Sequence, residues 1–239
     1  MTFFGTLLAL CVLYKVASSS AIPDEQVKII EGLKNTTQSI IADLNRYEEK
    51  LQSDVKLKIN QVKVDALGRM DGIVYYVIHG IETAVSAVNI TGSDAESCHQ
   101  TAKASLGKLN ETAYHNFNKC VPISLSAVDP LLKNITSAIQ IAGKISKNLD
   151  NILSDCSSAK QPATEKCVVL KIQDYQLSIK ELQISVSKLK NAQFSAIKNA
   201  KIAARSCHAK IVYAMRVEAT FKIYRDANLC IRSIYKAGF

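Results

Sequence analysis

The chain has 239 residues, of which 48% are hydrophobic, 21% charged and 6% aromatic, and it carries a formal net charge of +9. That is enough apolar material for a sizeable core, which excludes a disordered polymer. With only nine Gly and four Pro, the turn chemistry that a sandwich or barrel of short hairpins requires is missing, so an all-α fold is expected.

The first twenty residues hold an apolar run, Phe3 to Tyr14, followed by small residues at Ala17, Ser18, Ser19, Ser20 and Ala21. The run is shorter than the roughly 20 apolar residues a bilayer span needs, and its small-residue exit reads as a secretory signal over residues 1–20, cleaved between Ser18 and Ala21. No later stretch is apolar for long enough to anchor the chain, so release into an extracellular fluid is expected. Two further features agree. Asn35, Asn89, Asn110 and Asn134 each open an N-x-T sequon without an intervening Pro, so an N-glycosylated product is expected. Loss of Cys11 with the signal leaves Cys98, Cys120, Cys156, Cys167, Cys207 and Cys230, an even six that fits three disulfides in an oxidising compartment.

From Val27 the apolar residues Ile30, Leu33, Ile40, Leu44, Tyr47 and Leu51, with Thr37 filling one position, recur three and four apart. This is a heptad-like helical stripe with Asn35 on the opposite face. It continues through Val55, Ile59, Val62 and Leu67, and Gly68 and Gly72 then predict a bend or break. The run Asn89 to Asp94 reads as a linker, which divides the mature chain into an N-terminal amphipathic helical segment, 21–92, and a cysteine-paired domain, 93–239. In that domain Cys98 to Cys120 recur at helical spacing until Pro122 and Asp129-Pro130 punctuate the exit. Leu131 to Cys156 form the next helix, and Ser157 to Thr164 make a turn. Val168, Ile172, Tyr175, Ile179, Leu182, Val186 and Leu189 form a long narrow seam that Leu177 and Ile184 widen on one flank. A break is expected near Ala204 to His208.

Cys98 and Cys120 lie 22 residues apart, and Cys207 and Cys230 lie 23 apart, spans of roughly 33 to 35 Å on a helix. Neither pair can close on itself, because a disulfide needs Cα atoms within about 7 Å. Two helices joined by a rung at each end are expected instead: Cys98–Cys230 with Cys120–Cys207 if they run antiparallel, Cys98–Cys207 with Cys120–Cys230 if they run parallel. Short connections favour the antiparallel set. Cys156 and Cys167 flank the Pro162 turn and pair locally. The fold class expected is therefore an all-α, disulfide-stapled antiparallel bundle of long amphipathic helices with an additional N-terminal helical segment.

The cysteine spacing over about residues 98–231, with Tyr224 and Leu229 before the last cysteine, resembles the TsetseEP domain of secreted insect proteins. The middle pair is wider here than in that pattern, and the Glu-Pro repeats that name the family are absent. The resemblance implies a helical, disulfide-bonded extracellular protein with no established catalytic activity, and an insect extracellular fluid such as gut lumen, saliva or venom is the expected setting.

Candidates for chemistry are sparse. His79, His99, His115 and His208 have no His or Cys partner at i+3 or i+4, so no metal site is expected, and a histidine beside a disulfide reads as surface or half-buried. No nucleophile elbow, zinc-protease signature or phosphate-cradling loop occurs, so no catalytic residue, cofactor or enzyme activity is expected. Residues 157–239 carry 15 Lys and Arg against 5 Asp and Glu, whereas residues 22–156 carry 14 against 16. The basic face with Lys180, Lys188, Lys190, Lys198, Lys201 and Arg205 could meet an anionic surface. Nucleic acid is not an expected client of an exported chain. The partner expected is an extracellular protein or glycan, engaged by surface interaction. The alternative is a carrier of a lipid or other small apolar ligand.

Overall fold

The computed structural model describes residues 24–157 and 163–237. The expected signal, with Cys11, and the centre of the Pro162 turn lie outside them. The described residues form helices joined by short links, in the order α1 Asp24–Asn89, α2 Glu96–Leu125, a 3₁₀ turn Ser126–Val128, α3 Asp129–Cys156, α4 Ala163–Asn191, α5 Gln193–Val217, a π-helical segment Glu218–Ile223 and α6 Tyr224–Ala237. No described helix is long and apolar enough to cross a membrane.

The chain divides into two compact units, one of Met1–Asn45 with Ser137–Ser187 and one of Arg46–Thr136 with Lys188–Phe239. This division falls elsewhere than at residue 92. Val85 and Val88 at the end of α1 share one apolar cluster with Ala95, Cys98 and Ala102 at the start of α2, so the 90–95 link turns the chain back within a single unit. Gly92 at φ +90° makes that turn. Asn89 Oδ1 accepts the Ala95 N–H at 3.1 Å and Asp94 Oδ1 the Glu96 N–H at 2.9 Å, which satisfies N–H groups at the start of α2.

In the first unit, α3 and α4 are pinned end to end by Cys156–Cys167, whose Cα atoms are 5.8 Å apart. Lys171 reaches Asp155 across the same hairpin at 2.7 Å, and Lys34 of α1 pairs with Asp150 of α3. The α4 seam buries Val168, Ile172, Ile179, Leu182 and Val186. The expected widening does not occur, because Leu177 and Ile184 are 59% and 51% exposed. The buried positions of α4 already step by three, four and seven, and residues one helical face away turn to solvent.

In the second unit α1 does not break. Gly68 and Gly72 lie on its exposed face, while Val62, Ala66, Met70, Ile73, Val77 and Ile81 carry an unbroken buried stripe past them. Each glycine costs the helix about 1 kcal/mol relative to alanine. Burying the Met70, Ile73 and Val77 side chains contributes about 1.5–3 kcal/mol apiece, so the packed stripe wins. Tyr47 of α1 donates to the Leu189 carbonyl at 3.0 Å, Gln193 donates to Asp54 at 3.4 Å, and Gly80 lies against Tyr224. Residue numbers rise in step along both partners, so α1 runs parallel to α5 and α6. The rungs Cys98–Cys230 and Cys120–Cys207 run the other way, making α2 antiparallel to α5 and α6. Of the two pairings open from the spacing, the structure has the antiparallel set.

The helix break expected near Ala204 to His208 lies instead at Ala192, between α4 and α5. Residues 204–208 are continuous helix whose buried face is Ala196, Ala200, Ala204 and His208. Beyond it Met215, Ala219, Ile223, Ala227 and Ile231 are buried at four-residue steps. Each such step overshoots a full α-turn by about 40°. The π-helical turns at Glu218–Ile223 wind the backbone more loosely and keep that row facing the core.

Candidate functional site

The six cysteines among the described residues all lie in disulfides, which removes them as nucleophiles or metal ligands. The antiparallel rungs place His99 beside Cys98–Cys230 and His208 beside Cys120–Cys207, at opposite ends of the α2–α5/α6 pair. Among the described residues no three His, Cys, Asp or Glu side chains are grouped as metal ligands. Asn35, Asn89 and Asn134 are exposed, and Asn110 is half-buried with an unpartnered, buried Oδ1. At Asn89 the atom that bonds Ala95 is Oδ1, which leaves Nδ2, the atom a glycan would take, outside that bond.

Among the described residues three ionisable groups are shifted. Glu96 is held below its ordinary value by a hydrogen bond with His99 (3.0 Å) and another from Gln100 (2.5 Å). Lys222 is held above its ordinary value by its hydrogen bond to Glu218 at 2.7 Å. Burial raises the Tyr47 phenol. Each belongs to a helix corner or a helix–helix contact.

The residues of the expected basic face are divided between the two units. Lys180 belongs to the first unit, and Lys188, Lys190, Lys198 and Lys201 to the second. Of that set only Arg205 lines a described groove.

Two grooves of the second unit are contiguous, because Arg69, Ala209 and Val212 line both. They form a furrow along the seam between α1 and α5. Its larger part, of about 820 Å³, is walled by Tyr76, Tyr213, Phe221, Arg69 and Arg216 over a floor that includes Gly72, Ile73 and Thr220. The smaller part, about 330 Å³, adds Arg205, Asp65 and His208. The rings of Tyr76, Tyr213 and Phe221 are 67%, 70% and 68% exposed. Among the described residues Arg69, Arg205 and Arg216 form no ion pair.

His208 departs from the expected surface or half-buried histidine, since it is 1% exposed. It stacks on Phe117 with ring centroids 5.2 Å apart, and its Nδ1–H donates to the Ala204 carbonyl at 2.6 Å. Nδ1 is therefore the donor of that bond, and Nε2 is buried without a partner.

A third groove, of about 460 Å³, runs between α2 and the π-helical segment beside Cys98–Cys230. Its Lys222 is engaged by Glu218 and its Asp226 contacts Arg225, so its charges are largely answered from within. The α1–α5 furrow, with exposed rings and unpaired guanidinium groups, is the better candidate for recognition. Residue spacing along single helices did not reveal it. The signal lay in Tyr213, Val217 and Phe221, three large apolar residues at i, i+4 and i+8 on a different face from Met215, Ala219 and Ile223.

The chain matches no protein-family model, no curated protein and no solved structure.

Proposed function

We propose that this is a secreted, N-glycosylated, non-catalytic protein that acts by surface interaction in an insect extracellular fluid, the setting that the resemblance in cysteine spacing implies. The observation that carries the reading is the α1–α5 furrow. Tyr, Phe and Arg are the residue types enriched where proteins are recognised, and here they stand exposed on a unit tied by two long-range disulfides. Three disulfides fit an oxidising compartment, and three of the four sequons sit on exposed asparagines. The alternative, a carrier of a small apolar ligand, is less well supported. The furrow is open and its rings face solvent, which suits cover by a partner's surface better than enclosure of a lipid.

Expression of the full chain in a eukaryotic secretory host tests the reading. The expected product is found in the medium, lacks free thiols, and loses apparent mass on N-glycosidase treatment. Asn35→Gln, Asn89→Gln and Asn134→Gln each remove one step of that mass, and Asn110→Gln changes it least. A chain that stays inside the cell, unglycosylated and with free thiols, overturns the reading.

A further inference from the structure

We propose that the furrow between α1 and α5 docks an acidic amphipathic helix of a partner protein. The proposal rests on the surface-interaction reading and names the partner's chemistry. In the second unit α1 and α5 run parallel with α2 antiparallel to α5, and a furrow between two parallel helices is where a further helix completes a bundle. The lined stretch of α1, Val62 to Tyr76, extends about 21 Å at 1.5 Å per residue, the length of a helix of about 14 residues. The floor admits close approach, since nothing lies within 4 Å of where a Gly72 Cβ would be.

Charge selects the occupant. Three guanidinium groups, Arg69, Arg205 and Arg216, line the furrow against one carboxylate, Asp65. None of the three is ion-paired among the described residues, so a docked segment with Asp or Glu on its flanks would gain bidentate partners. The Tyr76, Tyr213 and Phe221 rings would cover apolar anchors at i, i+3, i+4 and i+7 of that segment. Two further observations point to a ligand here. The buried Nε2 of His208, on the lining of the same furrow, has no hydrogen-bond partner. Phe221 and Thr220, moreover, are presented by the π-helical segment, a backbone form found at functional sites.

The test pans a phage-displayed library of random 16-residue peptides against the oxidised full chain, with counter-selection on an Arg69→Glu/Arg216→Glu variant. Both arginines are exposed, and an unchanged thermal unfolding curve establishes that the variant is folded. Enriched peptides are expected to carry Asp or Glu beside apolar residues at helical spacing and to gain helical circular dichroism on binding. They should bind the double variant, and separately a Phe221→Ala variant, at least about tenfold more weakly. No enrichment, enriched peptides without acidic residues, or binding indifferent to these substitutions overturns the proposal. Concentration-dependent dimerisation that the double variant abolishes also overturns it, by assigning the furrow to a second copy of the chain. So does binding of heparin that the double variant abolishes when no peptide is enriched, by assigning the furrow to an anionic glycan. These outcomes are separable from failure of the broader reading, which is judged by secretion, thiol content and glycans alone.

Discussion

Gly80 and Gly68 sit on the same helix, and alanine at the two positions should have opposite effects on stability. A glycine inside a helix costs about 0.5–1 kcal/mol relative to alanine, so Gly68→Ala, with nothing within 4 Å of the new Cβ, should stabilise by up to that amount. At Gly80 the same methyl would lie 2.8 Å from Cε2 and 3.2 Å from the hydroxyl of Tyr224. The ring packs against the cluster of Val77, Ile81 and Ile223, so it cannot swing away freely. Overpacking of this kind costs about 1–3 kcal/mol. Set against the helix gain, Gly80→Ala should be about 1 kcal/mol less stable than the parent and about 2 kcal/mol less stable than Gly68→Ala. Urea unfolding of the oxidised chain, followed by circular dichroism, measures this as a shift of midpoint at constant slope. In a Tyr224→Ala background the clash is gone and Gly80→Ala should become stabilising, a coupling that the double-mutant cycle reads directly. If Gly80→Ala stabilises the parent as much as Gly68→Ala does, the close approach of α1 and α6 does not govern this position.

Replacing Cys156 and Cys167 by serine opens an 11-residue separation, which by loop entropy contributes about 3 kcal/mol. Hydrogen exchange should show the lost protection at the α3–α4 end, and equal loss around Cys120 would contradict two compact units. Glu96 is held below its usual 4.5, first by the His99 hydrogen bond and then by Gln100. Its stabilisation of the α2 start is therefore complete above about that pH and is lost as acid protonates the folded carboxyl. A Glu96→Gln variant should lack this acid step in amide exchange at residues 96–100. Tyr47 is raised above its usual 10.0 by burial, so the folded state resists its ionisation and stability falls as pH climbs past that value. Tyr47→Phe should cost about 1 kcal/mol at neutral pH through the lost hydrogen bond to Leu189. It should also be less sensitive than the parent to a rise from about pH 9 to about pH 11, as urea midpoints would reveal.

The parts of the fold legible in the sequence were those written in strong apolar residues and in cysteine. Val168 to Val186 announced the α4 seam because branched aliphatics recur there at helical spacing. The rung geometry followed because two matched cysteine spans are too long to close on themselves. The missed features are written in weaker letters. Following the stripe from Val62 to Leu67 leads off the core face, whereas the step from Val62 through Ala66 to Met70 carries α1 past its glycines. Alanine is too small to mark a face against a neighbouring leucine. The same weakness hid the buried face of α5, where Ala196, Ala200, Ala204 and His208 supply the contacts. It also moved the expected break from Ala192 to residues 204–208. The furrow was illegible for another reason: Arg69 and Arg216 lie far apart in the chain and become neighbours only because α1 and α5 run parallel. No periodicity within one helix encodes that pairing.

The disulfides bear on the proposed recognition as well as on stability. Cys207 adjoins His208 at one end of the furrow, and Cys230 lies beyond Phe221 past the other, so the α5–α6 wall is tied to α2 on both sides of the lined stretch. Phe117 of α2 shares a cluster with Met70 of α1 and Met215 of α5, so α2 also sets the register between the two walls. A slide of one helical residue, about 1.5 Å, would carry Arg216 and Phe221 out of line with Arg69 and Tyr76, and the rungs oppose it covalently. Binding at a seam held in this way loses less freedom on association than binding at one that must first be aligned. A partner of the kind proposed would thereby be retained even by a modest, open groove with few charged contacts. The loosely wound Glu218–Ile223 turn matters for the same reason. It lies between the two rung cysteines of the wall, where it turns Phe221 outward while Ala219 and Ile223 stay buried, so one segment serves the core and the exposed face together.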